Sequence, residues 1–353
     1  MNVRRLISIG CLAVAVTTWH APVMAQAKTV ERLLAEAQFD LAQEGTQFLR
    51  EQVQRASFVM LGGLYGDNES QDLLLSLQGY MGAGPLLVIK EMSPWAAERE
   101  FGGVPGARGV RIRGVDVEQD LVPLIRDFAA VNPDNPAVQT MAALVARGYR
   151  REDAGNLLML ARRAGDTKTM TGGVPLSQIV VRSMEVEVDW TRLDTADLPA
   201  SEHRARVMKD FFLAHYRQFA ATDGKPKVAA LLGRDLLTRG KDRQGVATLG
   251  NFLSEFAVAE GVDSFNVGVF AAGGEVSRGD TQPFDERPDD PAFAYMADAA
   301  QAPATIFDMR PLRQPLRLIP AQSRTPAQAS LLYWADAYDA IIYYRKVTPI
   351  AAR

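Results

Sequence analysis

Short apolar runs alternate with longer amphipathic stretches along this chain. Short apolar runs bounded by turn residues are typical of buried strands, whereas apolar residues spaced three or four apart are typical of helices. The pattern predicts strands at 57–62, 85–91, 110–117, 227–233, 265–271, 305–309 and 338–344. The first two are almost continuously apolar, which predicts a sheet covered on both faces.

Helical spacing of apolar residues accounts for most of the remaining chain. It predicts helices at 29–55, 70–80, 120–164 with a break at 132–136, 201–219, 246–258, 292–301 and 326–334. Residues 165–200 are the least regular part and are expected to form an insertion or lid, and residues 272–291 a loop. Alternating strands and helices predict an α/β fold: a mainly parallel sheet, helices on both faces, and a helical or irregular insertion at about 120–200.

The first 25 residues have the organisation of an export signal. Arg4 and Arg5 precede an apolar run, 6–16, and Val23-Met24-Ala25 resembles a signal-peptidase cleavage site. The apolar run is too short to span a bilayer. We therefore predict a signal peptide at 1–25, a single domain at 26–353 without a membrane span, and a periplasmic or secreted location.

Composition narrows the chemistry of the predicted mature chain. The only cysteine, Cys11, lies in the predicted signal, so no disulfide, thiolate metal site or cysteine nucleophile is expected. Removing Arg4 and Arg5 leaves 37 basic against 42 acidic residues, a net charge of −5. The basic residues are dispersed, so a nucleic-acid partner is not expected. No cofactor and no metal site are predicted.

The turn after the first predicted strand carries the clearest chemical signal. Residues 57–70 read SFVMLGGLYGDNES, a strand, a tight turn and the start of a helix. In α/β sheets, ligands bind at such turns. The turn resembles the first motif of the erythromycin esterase/Tiki-like superfamily, Leu-Gly-Glu-x-His-Gly-(Thr)-Asn-Glu-Ser. The matching residues are Leu61, Gly62, Gly66, Asn68, Glu69 and Ser70, whereas Gly63 stands at the motif's Glu and Tyr65 at its His.

Further segments follow the pattern of this family in the same order along the chain. They are Glu91 in Ile-Lys-Glu-Met-Ser-Pro, Gly114-Val115-Asp116, Arg204-Ala-Arg-Val-Met208, and Tyr338-Asp339-Ala340 with Val347-Thr348-Pro349. The main departure is Gly233-Arg234-Asp235-Leu236, where the family has Gly-Asn-x-His. The resemblance implies the family's fold. A histidine general base typically contributes about 10²–10⁴-fold, so its absence predicts that the family's hydrolysis is lost.

Acidic residues remain at the predicted strand ends. Glu91 and Asp116 are the candidate catalytic residues, since each ends an apolar strand, where a buried acid needs a partner. Lys90, Arg111, Arg113 and Arg234 are the expected sources of that partner. The candidate ligand-binding residues are Tyr65, Asp67, Glu69, Arg234 and Asp235.

Each candidate also has a purely structural interpretation. Asp67 and Asn68 are preferred helix caps, and Glu69 is favourable in a first helical turn. Glu91 and Asp116 are as well explained by an ion-pair network as by a ligand site. Tyr65 is expected to fill the pocket that the histidine vacated. His203 and His215, both in the predicted helix 201–219, are expected to be solvated or half-buried rather than part of a site.

Three functions remain open from the sequence. The favoured one is a catalytically degenerate, exported protein that binds a small-molecule ligand or a protein partner in the cleft at the strand ends. The second is a rebuilt hydrolase, with Glu91 or Asp116 as general base and an oxyanion held by Arg234 or the backbone of 62–63. The third is a haem- or metal-binding protein that uses Tyr65 and carboxylates as ligands.

Overall fold

The computed structural model describes residues 30–102, 109–192, 198–278, 280–285 and 290–350, so the predicted signal peptide lies outside the described residues. The strands of the described chain are β1 Gln38–Asp40, β2 Phe58–Gly63, β3 Leu86–Lys90, β4 Val110–Gly114, β5 Met170–Thr171, β6 Val174–Pro175, β7 Lys227–Gly233, β8 Ser264–Ala271, β9 Gly274–Arg278, β10 Asp280–Phe284, β11 Ala304–Asp308 and β12 Ala340–Tyr344. The seven predicted strands are all present, within a few residues of their expected ends.

The helices surround these strands in chain order. They are α1 30–36, α2 Glu44–Arg55, α3 Asn68–Tyr80, α4 Pro94–Phe101, α5 Leu121–Ala130, α6 Pro136–Ala146, α7 Ala154–Ala164, α8 Leu176–Arg192, α9 Leu198–Asp223, α10 Arg234–Leu237, α11 Leu249–Ala259, α12 Pro291–Ala299, α13 Arg310–Leu318 and α14 Pro326–Ala337. Short 3₁₀ turns lie at Arg151–Asp153 and Ala321–Ser323.

Eight strands form one sheet in the order β1-β11-β12-β8-β2-β7-β3-β4. The six strands from β12 to β4 pair in parallel, and β11 runs antiparallel to both β12 and β1. The predicted α/β fold with a mainly parallel sheet is therefore confirmed. Strand β2 lies between β7 and β8 and runs parallel to both, so its carboxyl end lies beside the carboxyl ends of these strands.

Alternate residues of β2 pack against opposite faces of the sheet, as the period of a strand requires. Phe58 points toward Phe212 of α9 and Phe256 of α11, with ring centroids 6.4 and 6.0 Å away. Val59 and Leu61 belong to the core on the other face, with the apolar sides of α2 and α3. Each large apolar side chain buried in this way stabilises the fold by about 1.5–3 kcal/mol.

Three sequence predictions about local structure are wrong. The helix expected over 29–55 is interrupted by β1, because Gln38–Asp40 pairs with the edge strand β11. The segment expected to be least regular, 165–200, contains helix α8, whose apolar side packs against α5 and α7. The loop expected at 272–291 contains the hairpin of β9 and β10.

The predicted insertion between β4 and β7 is helical. It consists of α5 to α8 with the small β5–β6 hairpin, followed by the long helix α9 that returns to the sheet. Over the described ranges, no helix combines the length and the apolar character needed to cross a bilayer.

Candidate functional site

The carboxyl ends of four neighbouring parallel strands bring together residues that are far apart in sequence. Tyr65 follows β2, Glu91 follows β3, Asp116 lies two residues beyond β4, and Arg234 directly follows β7. Strands β2 and β7 end in glycines, and the helices after β2 and β3 begin with side-chain caps. This edge of an open parallel sheet is the usual place for a ligand site.

The Tyr65 hydroxyl and the Glu91 carboxylate form the centre of this cluster. The hydroxyl oxygen lies 2.6 Å from Glu91 Oε1 and 2.7 Å from Oε2, so it donates its hydrogen to the carboxylate. The backbone N–H of Gly233 donates to Oε2 over 2.7 Å. One carboxylate thereby links the ends of β2, β3 and β7.

Arg204 of α9 is the cation that pairs with both candidate catalytic acids. Its Nη2 donates to Glu91 Oε1 over 3.0 Å and also to Asp116, and its Nε donates to Asp116 Oδ1 over 2.8 Å. Asp116 is 2% exposed and also accepts the backbone N–H of Val117. A carboxylate this buried requires such a partner.

The cations expected from the sequence to pair with these acids have other partners. Arg111 pairs with Asp223, and Arg113 lies 3.7 Å from Glu98. Lys90 lies over the ring of Phe101. The predicted partners of Glu91 and Asp116 are therefore wrong. The cation that pairs with these acids comes from helix α9 and not from the strands themselves.

The electrostatics of the cluster keep Tyr65 neutral and Arg204 charged. Burial and the negative charge of Glu91 raise the pKa of the Tyr65 phenol well above its usual value. Burial opposes the charge on Arg204, but hydrogen bonds and charge interactions with Asp116 and Glu91 outweigh it and raise the pKa of Arg204. A tyrosine that ligates haem iron must lose its proton, and these shifts oppose that loss.

Gly233 allows the tyrosine to reach the carboxylate. A Cβ atom at this position would lie 2.1 Å from the Tyr65 hydroxyl, far inside van der Waals contact. The backbone of Gly233 has φ −54° and ψ 141°, which any residue can adopt. The requirement for glycine here therefore comes from the position of the tyrosine and not from the turn.

Asp67 and Glu69 have structural roles outside the cluster. Asp67 is the N-cap of α3 and accepts the backbone N–H of Ser70 over 2.6 Å. Burial raises the pKa of Asp67 to about 6, and its Oδ2 has no hydrogen-bond partner among the described residues. Glu69 accepts the backbone N–H and the hydroxyl of Thr348. The structure thus supports the capping interpretation of this turn.

Arg234 and Asp235 point in different directions from the start of α10. The guanidinium of Arg234 lies over the rings of Phe270, Phe293 and Trp334, at 4.7, 5.5 and 5.9 Å from their centroids. Asp235 is exposed and lines the cleft beside Tyr65. Arg234 lines the part of that cleft that extends to Pro283 and Phe284.

The two described histidines lie on α9 and away from the Tyr65 hydroxyl network. His203 Nδ1 lies 2.6 Å from Asp189 Oδ2. His215 is fully buried, which differs from the expected solvated or half-buried position, and its ring nitrogens lie 2.8 Å from the carbonyl oxygens of Gly172 and Gly114. Burial lowers its pKa to about 4, so it is neutral near pH 7.

A cavity of about 420 Å³ opens beside the cluster. Its lining includes Tyr65, Arg204 and Asp235 among the polar residues, and Trp190, Met208, Leu236, Val246 and Leu249 among the apolar ones. Leu236, which stands where the family has its second histidine, lines this cavity and packs against the core. Tyr65 is 49% exposed at the cavity wall.

Sequence reasoning missed Arg204 and Trp190 as parts of the site. Arg204 lies in the Arg-Ala-Arg-Val-Met segment that follows the family pattern, so that match was the available signal. Trp190 lies near the end of α8 and carries no motif that would distinguish it from a core residue. In the described part of the chain, no group of three or more His, Cys, Asp or Glu side chains is arranged to hold a metal ion.

Comparison with known proteins supports the fold. No family model and no curated protein matches the chain. Solved structures do match over nearly its whole length. A Bacillus cereus protein is 14% identical with a TM-score of 0.60, covering 91% of this chain and 98% of its own. A protein described as a succinoglycan biosynthesis protein is 11% identical with a TM-score of 0.56, covering 91% and 97%.

The third structural neighbour belongs to the family that the motifs resemble. It is a mutant of erythromycin esterase EreC in its open conformation, 12% identical with a TM-score of 0.55, and the match covers 89% of this chain and 96% of that one. The resemblance seen in the sequence is therefore confirmed for the fold. At this level of identity the likeness concerns the fold alone.

Proposed function

We propose that this protein is a catalytically degenerate, erythromycin esterase-like protein that binds a ligand in the cleft beside Tyr65. We further propose that it acts in the periplasm or after secretion, on the basis of the predicted signal peptide. The first statement starts from a hydrolase-like fold with an altered site at its strand ends.

The proposal rests on the hydrogen bonds that the Glu91 carboxylate accepts from the protein. A general base needs a lone pair directed at water or substrate. Oxygen Oε1 of Glu91 lies against Tyr65 and Arg204, and Oε2 lies against Tyr65 and the N–H of Gly233. Donors of the protein itself thus engage both oxygens, and Arg204 likewise engages both oxygens of Asp116.

The cavity supports a retained binding function. Its volume of about 420 Å³ lies within the range of small-molecule sites, roughly 300–1,000 Å³. Trp190 and Leu236 offer apolar surface, while Ser201, Asp235 and Gln244 offer polar groups that orient a ligand. A few polar groups in a mainly apolar wall are typical of such sites.

A thermal-shift screen with turnover measured in the same wells tests the proposal. The probes are macrolides, small esters, haemin and divalent cations, added to purified residues 26–353. At about 100 times its Kd a ligand stabilises the folded protein by roughly 2.7 kcal/mol, which raises Tm by several degrees. We expect at least one organic probe to raise Tm and none of the esters to be hydrolysed.

Two variants separate cleft binding from binding elsewhere and from catalysis. Tyr65→Ala should abolish the thermal shift, whereas Met159→Ala, an exposed substitution on α7, should retain it. Ester turnover that disappears in Glu91→Gln would contradict the proposal and identify Glu91 as a working general base. A shift that persists in Tyr65→Ala would place the ligand outside this cleft.

A further inference from the structure

The cavity beside Tyr65 is the middle part of a longer groove. It shares Tyr65, Asp235 and Leu236 with a cavity of about 360 Å³ that reaches the β9–β10 hairpin at Pro283. At its other end it shares residues with a more open cavity of about 560 Å³; the shared residues are Trp190, Ser201, Arg204 and Gln244. We use "the groove" for these three adjoining cavities, whose arrangement suits an elongated ligand.

The cationic side chains in the inner and distal parts of the groove have partners within the protein. Arg151 donates to Glu187 over 3.0 Å. Arg204 is held by Glu91 and Asp116, and Arg243 pairs with the buried Asp290. A polyanion binds through cations that are available to it. Pairing of these described side chains therefore favours a ligand without negative charge.

Neutral polar groups and two aromatic rings also line the groove. Gln119, Ser201 and Gln244 each carry groups that both donate and accept hydrogen bonds. Tyr65 is 49% exposed and Trp190 is half-buried, so both rings present surface to the groove. Such rings give large, rigid, amphipathic contact areas at little cost in conformational entropy.

We propose that the groove binds a neutral oligosaccharide chain. A sugar ring has an apolar C–H face, which suits an aromatic ring, and hydroxyl edges, which suit amide and hydroxyl side chains. Trp190 and Tyr65 would contact successive parts of the chain, with Gln119, Ser201 and Gln244 bound to hydroxyls. The inference rests on the proposed function, because it assigns a ligand class to the same cleft.

An uncharged peptide is the main competing ligand and is less well matched. Extended peptides are held largely through main-chain hydrogen bonds, as when a strand is added to a sheet edge. The polar residues that line the central and distal parts of the groove lie on helices, turns and loops, and none of them lies on a strand. These groups suit ligand hydroxyls at least as well, and the aromatic pair adds a preference for rings.

Calorimetric titration with defined glycans tests the inference. The probes are β-1,4-linked glucose and N-acetylglucosamine chains and α-1,4-linked glucose chains, each from two to six residues, with an uncharged decapeptide for comparison. We expect one glycan series to bind with an affinity that rises with chain length. Trp190→Ala should weaken its binding by about tenfold or more, in keeping with the large share that aromatic residues contribute to binding.

Trp190 also packs against the core, so Trp190→Ala could weaken binding by disturbing the fold. Two further variants distinguish this effect from the loss of a ligand contact. Gln244 is exposed, so Gln244→Ala should leave the melting temperature unchanged and weaken the same glycan several-fold. Met159→Ala, at an exposed position that does not line the groove, should have no effect. Binding that neither Trp190→Ala nor Gln244→Ala weakens would overturn the assignment.

The remaining outcomes separate this inference from the proposed function. No binding by any glycan, or tighter binding of the decapeptide, would overturn the oligosaccharide assignment. In that case a macrolide or ester thermal shift that depends on Tyr65 would leave the proposed function standing. Equal affinity for the two-residue and six-residue chains would overturn the elongated site. Ester turnover that depends on Glu91 would instead overturn the proposed function itself.

Discussion

At the scale of single residues, the cluster depends on close approach between Tyr65, Glu91 and Gly233. The tyrosine hydroxyl fills the space that a side chain at 233 would need, and it donates to the carboxylate that also accepts the Gly233 N–H. Hydrogen bonds to a charged group contribute roughly 1.5–3 kcal/mol. The effects of substitutions at 65 and 233 on the free energy of unfolding should therefore not be additive.

We predict strong non-additivity between Gly233→Ala and Tyr65→Ala. Alone, Gly233→Ala should lower the free energy of unfolding by about 1–2 kcal/mol, since it displaces Tyr65 from Glu91. In the Tyr65→Ala background it should be neutral or stabilising by about 0.5 kcal/mol, since the backbone tolerates alanine. Urea denaturation of the four proteins measures the coupling. Simple additivity would show that the 2.1 Å approach does not govern this site.

Asp67 provides a second prediction at the same scale. Its pKa is about 6 in the folded protein against an ordinary value of 3.8, so between these values the folded state binds more protons than the unfolded chain. Its ionisation therefore lowers stability as pH rises through this window. Asparagine caps helices as well as aspartate but carries no charge. Asp67→Asn should thus be more stable than the parent by about 1–3 kcal/mol at pH 8.

The difference between Asp67→Asn and the parent should become small near pH 4 and vanish below the ordinary pKa of 3.8, where Asp67 is protonated in both the folded and the unfolded protein. Thermal denaturation from pH 4 to pH 8 measures it. His215, whose pKa is lowered to about 4, destabilises the fold as pH falls below about 6.5, which opposes the Asp67 effect. Comparing variant with parent removes that contribution. A variant that is no more stable at pH 8 would indicate a partner for Asp67 Oδ2.

At the scale of elements, two segments hold the turn that carries Tyr65. The carbonyl oxygen of Gly66 accepts the N–H of Ser277 in β9 and the N–H of Ile350, over 2.9 and 3.0 Å. Asn68 donates its N–H to Thr348. Gly66 has φ +82°, and a Cβ there would lie 1.9 Å from the carbonyl oxygen of Ser277. We call residues 345–350 the C-terminal strap.

Removing most of the strap should release the Tyr65 turn without unfolding the sheet. A chain that ends at Lys346 loses the fully buried Val347 and the bonds to Gly66, Asn68 and Glu69. We expect a loss of about 2–3 kcal/mol in stability and faster amide exchange at 64–69, with the β2 amides still protected. Hydrogen exchange followed by mass spectrometry provides the measurement.

A chain that ends at Ile350 is the matched control for this truncation. It keeps every strap contact described above, so exchange at 64–69 should equal that of the full chain. Equal protection in the chain that ends at Lys346 would contradict a role for the strap in holding the turn.

At the scale of the whole molecule, a second buried network lies at the start of β12. Asp339 accepts the N–H of Asn266 over 3.0 Å and Nη2 of Arg313 over 2.9 Å, and it pairs with Arg239. It therefore connects β8, α13 and the start of β12. Burial opposes its ionisation, but the charge and hydrogen bonds of Arg239 outweigh it and lower the pKa of Asp339.

Asp339→Asn should destabilise the whole fold. Removing one charge leaves two largely buried arginines without their carboxylate, which typically costs about 3–5 kcal/mol. The stability that Asp339 contributes is present above its ordinary pKa of 3.8 and is lost as pH falls through its lower pKa in the folded protein. The difference in the free energy of unfolding between the parent and Asp339→Asn should therefore become smaller in acid. Urea denaturation at pH 7 and at low pH measures it. Loss of less than about 1 kcal/mol at pH 7 would contradict this account.

Much of the fold was predictable because strand and helix periods are local properties of the chain. Each predicted strand of the parallel sheet is present, and the turn after β2 was identified from its glycines and caps. The errors occur where distant pairing overrides local pattern. Gln38–Asp40 becomes a strand because β11 offers an open edge, and the glycine-rich stretch after β8 folds into a hairpin.

The sequence by itself determined the framework of the site: strand ends rich in carboxylates, and a glycine-rich turn that resembles a known motif and carries Tyr65. Only the tertiary structure decided how those groups are partnered. Arg204 reaches Asp116 across 88 residues of sequence, and Thr348 reaches Glu69 across 279. The physical reason is that a buried charge takes whichever partner the packed helices bring near it, and no local pattern encodes that choice.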